Sequence, residues 1–211
     1  MDLGNLRKEY TQAGLDEISV ASSPFQQFEL WFEQATQAEL LEPNAMSLTT
    51  VSASGRPSLR TVLLKFFDSQ GFVFFTNYSS RKSQEIAGNP QVALLLPWYG
   101  LERQVIIEGS ACRISTTESL KYFLSRPHGS QLGAWVSQQS SVISSRSVLE
   151  MKLAELKRKF QEGQVPLPEF WGGYRVVPDR FEFWQGRPNR LHDRICYTAR
   201  DDQWEVERLA P

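Results

Sequence analysis

Short apolar segments broken by turn residues dominate this chain, and that punctuation most constrains its fold. Ala45 to Ala53 leads through Ser54-Gly55-Arg56-Pro57 into Ser58 to Phe67, and Asp68-Ser69-Gln70-Gly71 leads on into Phe72 to Thr76. Gly, Pro and Asp at such spacing close hairpins, so these three segments read as an antiparallel meander. Gln91 to Leu96 and Arg103 to Ile114 flank a Pro97-Trp98-Tyr99-Gly100 turn. Tyr174 to Trp184, Arg194 to Ala199 and Trp204 to Leu209 complete the set, the last two joined by an Asp201-Asp202 turn. Roughly eight antiparallel strands must hide their edges, and closure into a barrel does so most completely. Strand and helix do not alternate as they do in a doubly wound parallel sheet. The expected class is mainly β with helical excursions (α+β), built on a closed or nearly closed barrel.

The helices fall in the intervals. Ser23-Pro24 followed by Phe25, Phe28, Trp31, Phe32, Ala35 and Ala38 predicts an amphipathic helix, with Ser as cap and Pro in the first turn. Ser80 to Gly88 predicts a short helix closed by Gly88-Asn89-Pro90. Ser115-Thr116-Thr117-Glu118 and Ser147-Val148-Leu149-Glu150 have the form of capping boxes. The first opens a helix reaching Ser125; the second opens one that carries Leu149, Leu153, Leu156 and Phe160 on one stripe and stops at Gly163. Gln131 to Val136 forms another helical stretch after the Arg126-Pro127 break.

At 211 residues the chain can bury a core as one domain. A formal net charge of -1 excludes a bulk polyanion binder, so any anion recognition must be local. Two cysteines, Cys112 and Cys196, and two histidines, His128 and His192, argue against a disulfide framework, a structural zinc or a His-rich metal centre. The first ten residues lack an apolar leader, and the apolar run Val92 to Leu96 is too short to span a bilayer. A cytoplasmic location with no membrane or nucleic-acid partner is expected.

Neither Gly-x-Gly-x-x-Gly nor a P-loop occurs, so side chains must supply the donors for any phosphate. Several clusters offer them. In Arg60-Thr61-Val62-Leu63-Leu64-Lys65 the two cations are five apart and face opposite ways on a strand unless a bulge intervenes. Thr76-Asn77-Tyr78-Ser79-Ser80-Arg81-Lys82 sets hydroxyls and a basic pair where a strand meets a helix N-terminus. Tyr122 and Arg126 share a helical face, with Ser130 past the break. Trp135-Val136-Ser137-Gln138-Gln139-Ser140-Ser141 offers neutral donors. Near the C-terminus, Arg190, His192 and Arg194 fall on one face if the segment is extended, and such a face calls for an anion. Solvated surface charge is the competing account of each cluster. Two phosphate-capable sites beside tryptophan and glutamine suit two phosphorylated flat ligands held face to face.

These motifs occur in one order: Arg60 to Lys65, Ser80-Arg81-Lys82, Tyr122 to Pro127, Gly133 to Ser137, Gln139 to Ser141, Phe170-Trp171-Gly172-Gly173, and Phe183 through Arg194. Together they resemble the FMN-dependent pyridoxamine 5′-phosphate oxidase family from Leu6 to Pro211. The resemblance implies an FMN-binding split β-barrel (residues 23–211) behind a mobile N-terminal substrate lid (residues 1–22). It implies a homodimer with FMN at the subunit interface. The activity implied is O2-dependent oxidation of pyridoxamine or pyridoxine 5′-phosphate to pyridoxal 5′-phosphate, releasing H2O2, and ammonia from the amine.

Carried over by position, FMN contacts fall on Arg60, Lys65, Phe75, Thr76, Arg81, Lys82, Gln104, Gln139, Ser140, Trp184 and Arg194. Substrate contacts fall on Lys65, Tyr122, Arg126 and Ser130 and on the lid residues Arg7, Lys8, Glu9 and Tyr10, while Arg190 and His192 lie near the reacting carbon. Phe75 stands where the family commonly has tyrosine, and Gln138 where a basic residue is frequent. The rival readings are a split-barrel flavin reductase and a non-catalytic flavin or pyridoxal-phosphate carrier.

Overall fold

The structure, a computed structural model, describes Tyr10 and residues 14–161, 163–201 and 203–211. Its strands form one antiparallel sheet, and closure depends on a single stretch of chain. Strand β1 (Ala45–Val51) pairs with β2 (Pro57–Leu63), while β3 (Phe66–Asp68) pairs with β4 (Gly71–Asn77). Strands β2 and β3 are successive parts of the segment read above as one strand, Ser58 to Phe67. At the join, Leu64 N–H donates to Asn44 O and Lys65 N–H to Val73 O, both at 2.9 Å. The segment thus changes partner there and itself forms both ends of the path β2-β1-β5-β6-β7-β4-β3. A simple three-strand meander is therefore corrected: β4 continues against β7, not along β2. A barrel needs both edges of one segment, and a two-residue break supplies them.

Strand β5 (Gln91–Trp98) pairs with β6 (Arg103–Arg113), and β6 follows β7 (Trp171–Gln185) along its length. On its other edge β7 serves two neighbours. Residues 171–176 pair with β4, and residues 180–185 pair with β8 (Asp193–Arg200), which carries β9 (Gln203–Arg208). Pro178 sits in the gap between them, where that edge requires no ladder donor. Opposite lies a bulge at Glu108/Gly109, where a Cβ on Gly109 would meet Val177 O at 2.1 Å.

Helix α1 (Pro24–Gln37) buries Phe28, Trp31 and Ala35 against the barrel core, beside Met46, Leu94, Ile107 and Phe183. A smaller core of Phe123, Leu132, Val165 and Trp171 lies under α3 (Thr116–Ser125), α4 (His128–Val136) and α5 (Arg146–Lys159). The Ser115 capping box is present: Glu118 N–H donates to Ser115 Oγ at 3.1 Å, and Ser115 N–H to Glu118 Oε2 at 3.0 Å. The Ser147 box is not, because α5 starts earlier with Ser145 at the N-cap position, leaving Ser147 inside the first turn. There Glu150 accepts from Arg146 instead. Helix α4 likewise opens at His128, before the expected Gln131, and at the start of α1 Ser23 occupies the N-cap position without a side-chain cap bond.

Chain ahead of α1 also packs onto the barrel. Leu15 is buried in the main core, its N–H donates to Asp193 Oδ2 at 3.0 Å, and Tyr197 Oη donates to Ala21 O at 2.7 Å. Among the described residues no helix is long and apolar enough to cross a membrane. Phe28 is fully buried, with rings of Phe32, Phe67, Phe72 and Trp98 within 6.0 Å. Replacing it with alanine is expected to cost about 3–5 kcal/mol of stability, measured by urea unfolding; a loss below about 1 kcal/mol would mean that the core closes around the hole.

Candidate functional site

A cleft of about 970 Å³ opens between the β2–β3 segment and the helical layer. Arg60 and Lys65 both line it, although strict strand alternation would turn them apart. The break at Leu64–Lys65 is the irregularity that alternation could not supply. Phe75 and Thr76 enter from β4, and Arg81 and Lys82 from the first turn of α2 (Arg81–Gly88). Tyr122, Arg126 and Ser130 face in from α3 and α4, and Gln139 and Ser140 from the loop after α4. The basic, hydroxyl and phenol clusters separated in sequence therefore share one wall system.

Lys82 is buried, and its Nζ donates to Thr76 Oγ1 and Gln139 Oε1 at 3.0 Å and more weakly to Ser80 Oγ at 3.4 Å. All three acceptors are neutral. Burial and the neighbouring Arg60 charge push the Lys82 ammonium down to about 8. Arg126 stacks over Trp171 at 4.7 Å, and its Nη1 is buried without a hydrogen-bond partner. Burial lowers its pKa, partly opposed by Tyr122. The Tyr122 ring lies 4.0 Å from that of Phe75 and nearly parallel to it. A buried orphan donor and an ammonium held only by neutral groups leave two cations of the cleft without an anion among the described residues.

Sequence reasoning missed Glu85. Its buried carboxylate accepts from Thr50 Oγ1 and Ser58 Oγ at 2.5 Å and from Arg81 Nε at 2.8 Å, and Arg60 Nη2 lies 3.4 Å away. Burial alone would raise its pKa, but the two hydroxyls and Arg81 bring it down to about 2. The available signal was the Arg81–Glu85 spacing of four on one helix.

The remaining candidates do not line the cleft. Gln104, Trp184 and Arg194 are register partners across β6, β7 and β8. His192 lies 4.6 Å from Trp184 and 5.5 Å from Tyr10, ring centre to ring centre. Its Nδ1 accepts from Arg187 N–H at 3.1 Å, so a neutral ring carries its proton on Nε2. The expectation that Arg190, His192 and Arg194 share one extended face is corrected. Pro188–Arg190 is a 3-10 turn with left-handed backbone at Asn189 (φ 56°) and Arg190 (φ 60°), and β8 starts only at Asp193. Alternation does not survive such a turn. Arg194 already has its anion: Glu182 accepts from its Nε at 2.8 Å and its Nη2 at 3.0 Å. Arg7, Lys8 and Glu9 lie outside the described residues.

Because its folded pKa lies below 10.5, Lys82 costs stability when protonated: the cost is absent above 10.5 and complete below about 8. Lys82→Met should therefore be more stable than the parent protein at pH 7, and the gain should shrink as pH rises from 8 to 10.5 in denaturant titrations. A pH-independent difference would assign the effect to packing.

Two family models cover most of the chain. One described as pyridoxamine 5′-phosphate oxidase matches residues 32–160, and one described as the pyridoxine 5′-phosphate oxidase C-terminal dimerisation region matches residues 171–211. The pyridoxine/pyridoxamine 5′-phosphate oxidase of Crocosphaera subtropica is 67% identical over the full length of both chains, and that of Aliarcobacter butzleri is 60% identical, again over both in full. Among solved structures, PhzG from Burkholderia lata 383, in complex with tetrahydrophenazine-1-carboxylic acid, is similar with a TM-score of 0.89 and 29% identity. The match covers 95% of this chain and 99% of that one. A pyridoxamine 5′-phosphate oxidase-related, FMN binding protein from Nostoc punctiforme shares the fold, with a TM-score of 0.73 and 16% identity over 91% of this chain and all of that one. On the matched models and these full-length identities, the chain belongs to the pyridoxamine 5′-phosphate oxidase family.

Proposed function

We infer that this protein is an FMN-dependent oxidase that converts pyridoxamine or pyridoxine 5′-phosphate to pyridoxal 5′-phosphate, with O2 as acceptor and H2O2 as product. The observation that carries this reading is the anion-deficient cleft, where among the described residues Arg126 Nη1 has no hydrogen-bond partner and Lys82 has only neutral ones. Its volume of about 970 Å³ is at the upper end of small-molecule sites, in keeping with a cofactor and a substrate together. Full-length relatives carrying the oxidase name support the same reading.

In this reading Arg60, Lys65, Arg81 and Lys82 hold the cofactor with Thr76, Gln139, Ser140 and the backbone of Phe75. Tyr122, Arg126 and Ser130, with Lys65, hold the substrate phosphate, the guanidinium giving charge-assisted bonds. When bound, the flavin supplies the two-electron oxidation and the route of electrons to oxygen. The chain supplies binding and orientation. His192, with Nδ1 tied to the backbone, presents Nε2–H as a donor, and Arg190, two residues earlier in the chain, supplies charge. Gln104, Trp184, Arg190, His192 and Arg194 lie apart from the cleft, and all but Gln104 fall within the region matched to the dimerisation model. A homodimer in which each copy completes the other's site accounts for both facts. Tyr10, against Trp184 and His192, belongs to the substrate-side cover.

FMN has about 30 non-hydrogen atoms, which at roughly 0.3 kcal/mol each gives about 9 kcal/mol and submicromolar binding. The protein should purify yellow and release peroxide with pyridoxamine 5′-phosphate and no nicotinamide; a protein that stays inactive with added FMN rules the oxidase out. Arg126→Ala should raise KM for the phosphorylated substrate by about tenfold or more, and an unchanged KM removes Arg126 from the phosphate pocket. Arg190→Met should lower turnover far more than FMN affinity, as kinetics and flavin titration together would show.

A further inference from the structure

We propose that Glu85 is a positioning residue for the cofactor phosphate, acting through Arg60 and Arg81. The proposal rests on the FMN reading above. Four donors from three elements converge on this carboxylate. Thr50 comes from β1, Ser58 and Arg60 from β2, and Arg81 from the same helix as Glu85 itself. Each hydroxyl that donates to Glu85 also accepts from Arg60: Nη1 donates to Thr50 Oγ1 at 2.6 Å, and Nη2 donates to Ser58 Oγ. Arg60 Nη1 is further tied to Leu48 O at 3.0 Å. Both terminal nitrogens of Arg60 are thus oriented by a network that ends on one carboxylate oxygen.

Glu85 Oε1 meanwhile holds Arg81 by Nε alone, which leaves both of its terminal nitrogens beyond the contact. The Arg81 side chain is 57% exposed, so without this anchor it would lose rotamer freedom on gripping an anion. A carboxylate beside a phosphate site opposes the anion by charge, and here its contribution is geometric. It removes the cost of ordering two guanidinium groups. The charge effect and the geometric effect are separable, because glutamine and methionine at position 85 have the same charge and similar size. Only glutamine offers a strong oxygen acceptor, the methionine sulfur being a weak one.

The experiment titrates FMN and riboflavin, which differ only in the phosphate, into cofactor-stripped parent protein, Glu85→Gln and Glu85→Met, followed by flavin fluorescence. Glu85→Met is expected to bind FMN about tenfold more weakly than Glu85→Gln, while the two bind riboflavin equally. Equal FMN affinities of the two variants would overturn the proposal. So would a parallel loss of riboflavin, which marks general damage to the cleft. Thr50→Val cuts one Arg60 path while sparing the carboxylate, and should show the same selective loss in smaller measure. It decides the question by the same comparison if Glu85→Met does not fold. A parent protein that binds neither flavin would defeat the FMN reading itself, a result distinct from any difference between variants.

Discussion

An antiparallel sheet that must leave no long edge open is the constraint on which this structure turns. The stretch from Pro57 to Asp68 meets it by bonding to β1 with one part and to β4 with the next. The partner change at Leu64–Lys65 also breaks side-chain alternation. Barrel closure and the convergence of Arg60 and Lys65 on one cleft are therefore two results of one backbone irregularity. Strand β7 repeats the device on a larger scale, serving β4 and then β8 on the same edge with Pro178 at the changeover.

Buried charge organises the rest. Cations gathered in a partly desolvated space are costly unless anions answer them. The protein answers some of them internally, with Glu85 beneath Arg60 and Arg81 and Glu182 against Arg194. Among the described residues it leaves Lys82 and one nitrogen of Arg126 without a charged partner. That division separates groups that shape the site from groups left to meet a ligand. The lowered Lys82 pKa is the electrostatic sign of the same deficit.

Strand positions, the barrel class and most of the cleft residues were legible in the sequence, because they follow from local pattern. Apolar runs between Gly, Pro and Asp turns mark strands at short range, and Ser115 with Glu118 marks a helix start. The misses have a common cause. Ser147 repeats the capping pattern of Ser115, but Ser145 lies two residues ahead and takes the end of the helix. Arg190 and His192 lie in an apparent extension of β8, but two left-handed residues turn the chain before Asp193. Glu85 carried only the weak signal of an i,i+4 ion pair, because its other partners come from strands at least twenty-five residues earlier.

By itself the sequence determined which residue types were available and which short segments would be strand or helix, since hydrophobic period, turn chemistry and caps act over a few residues. The ordered motifs likewise sufficed to indicate the family. Only the tertiary structure decided that Arg60 and Lys65 face the same space, that Glu85 underlies the cations, and that the Trp184–His192 group stands away from the cleft. Those outcomes depend on register, on one partner switch and on contacts between distant strands, which are set by the energy of the closed sheet as a whole.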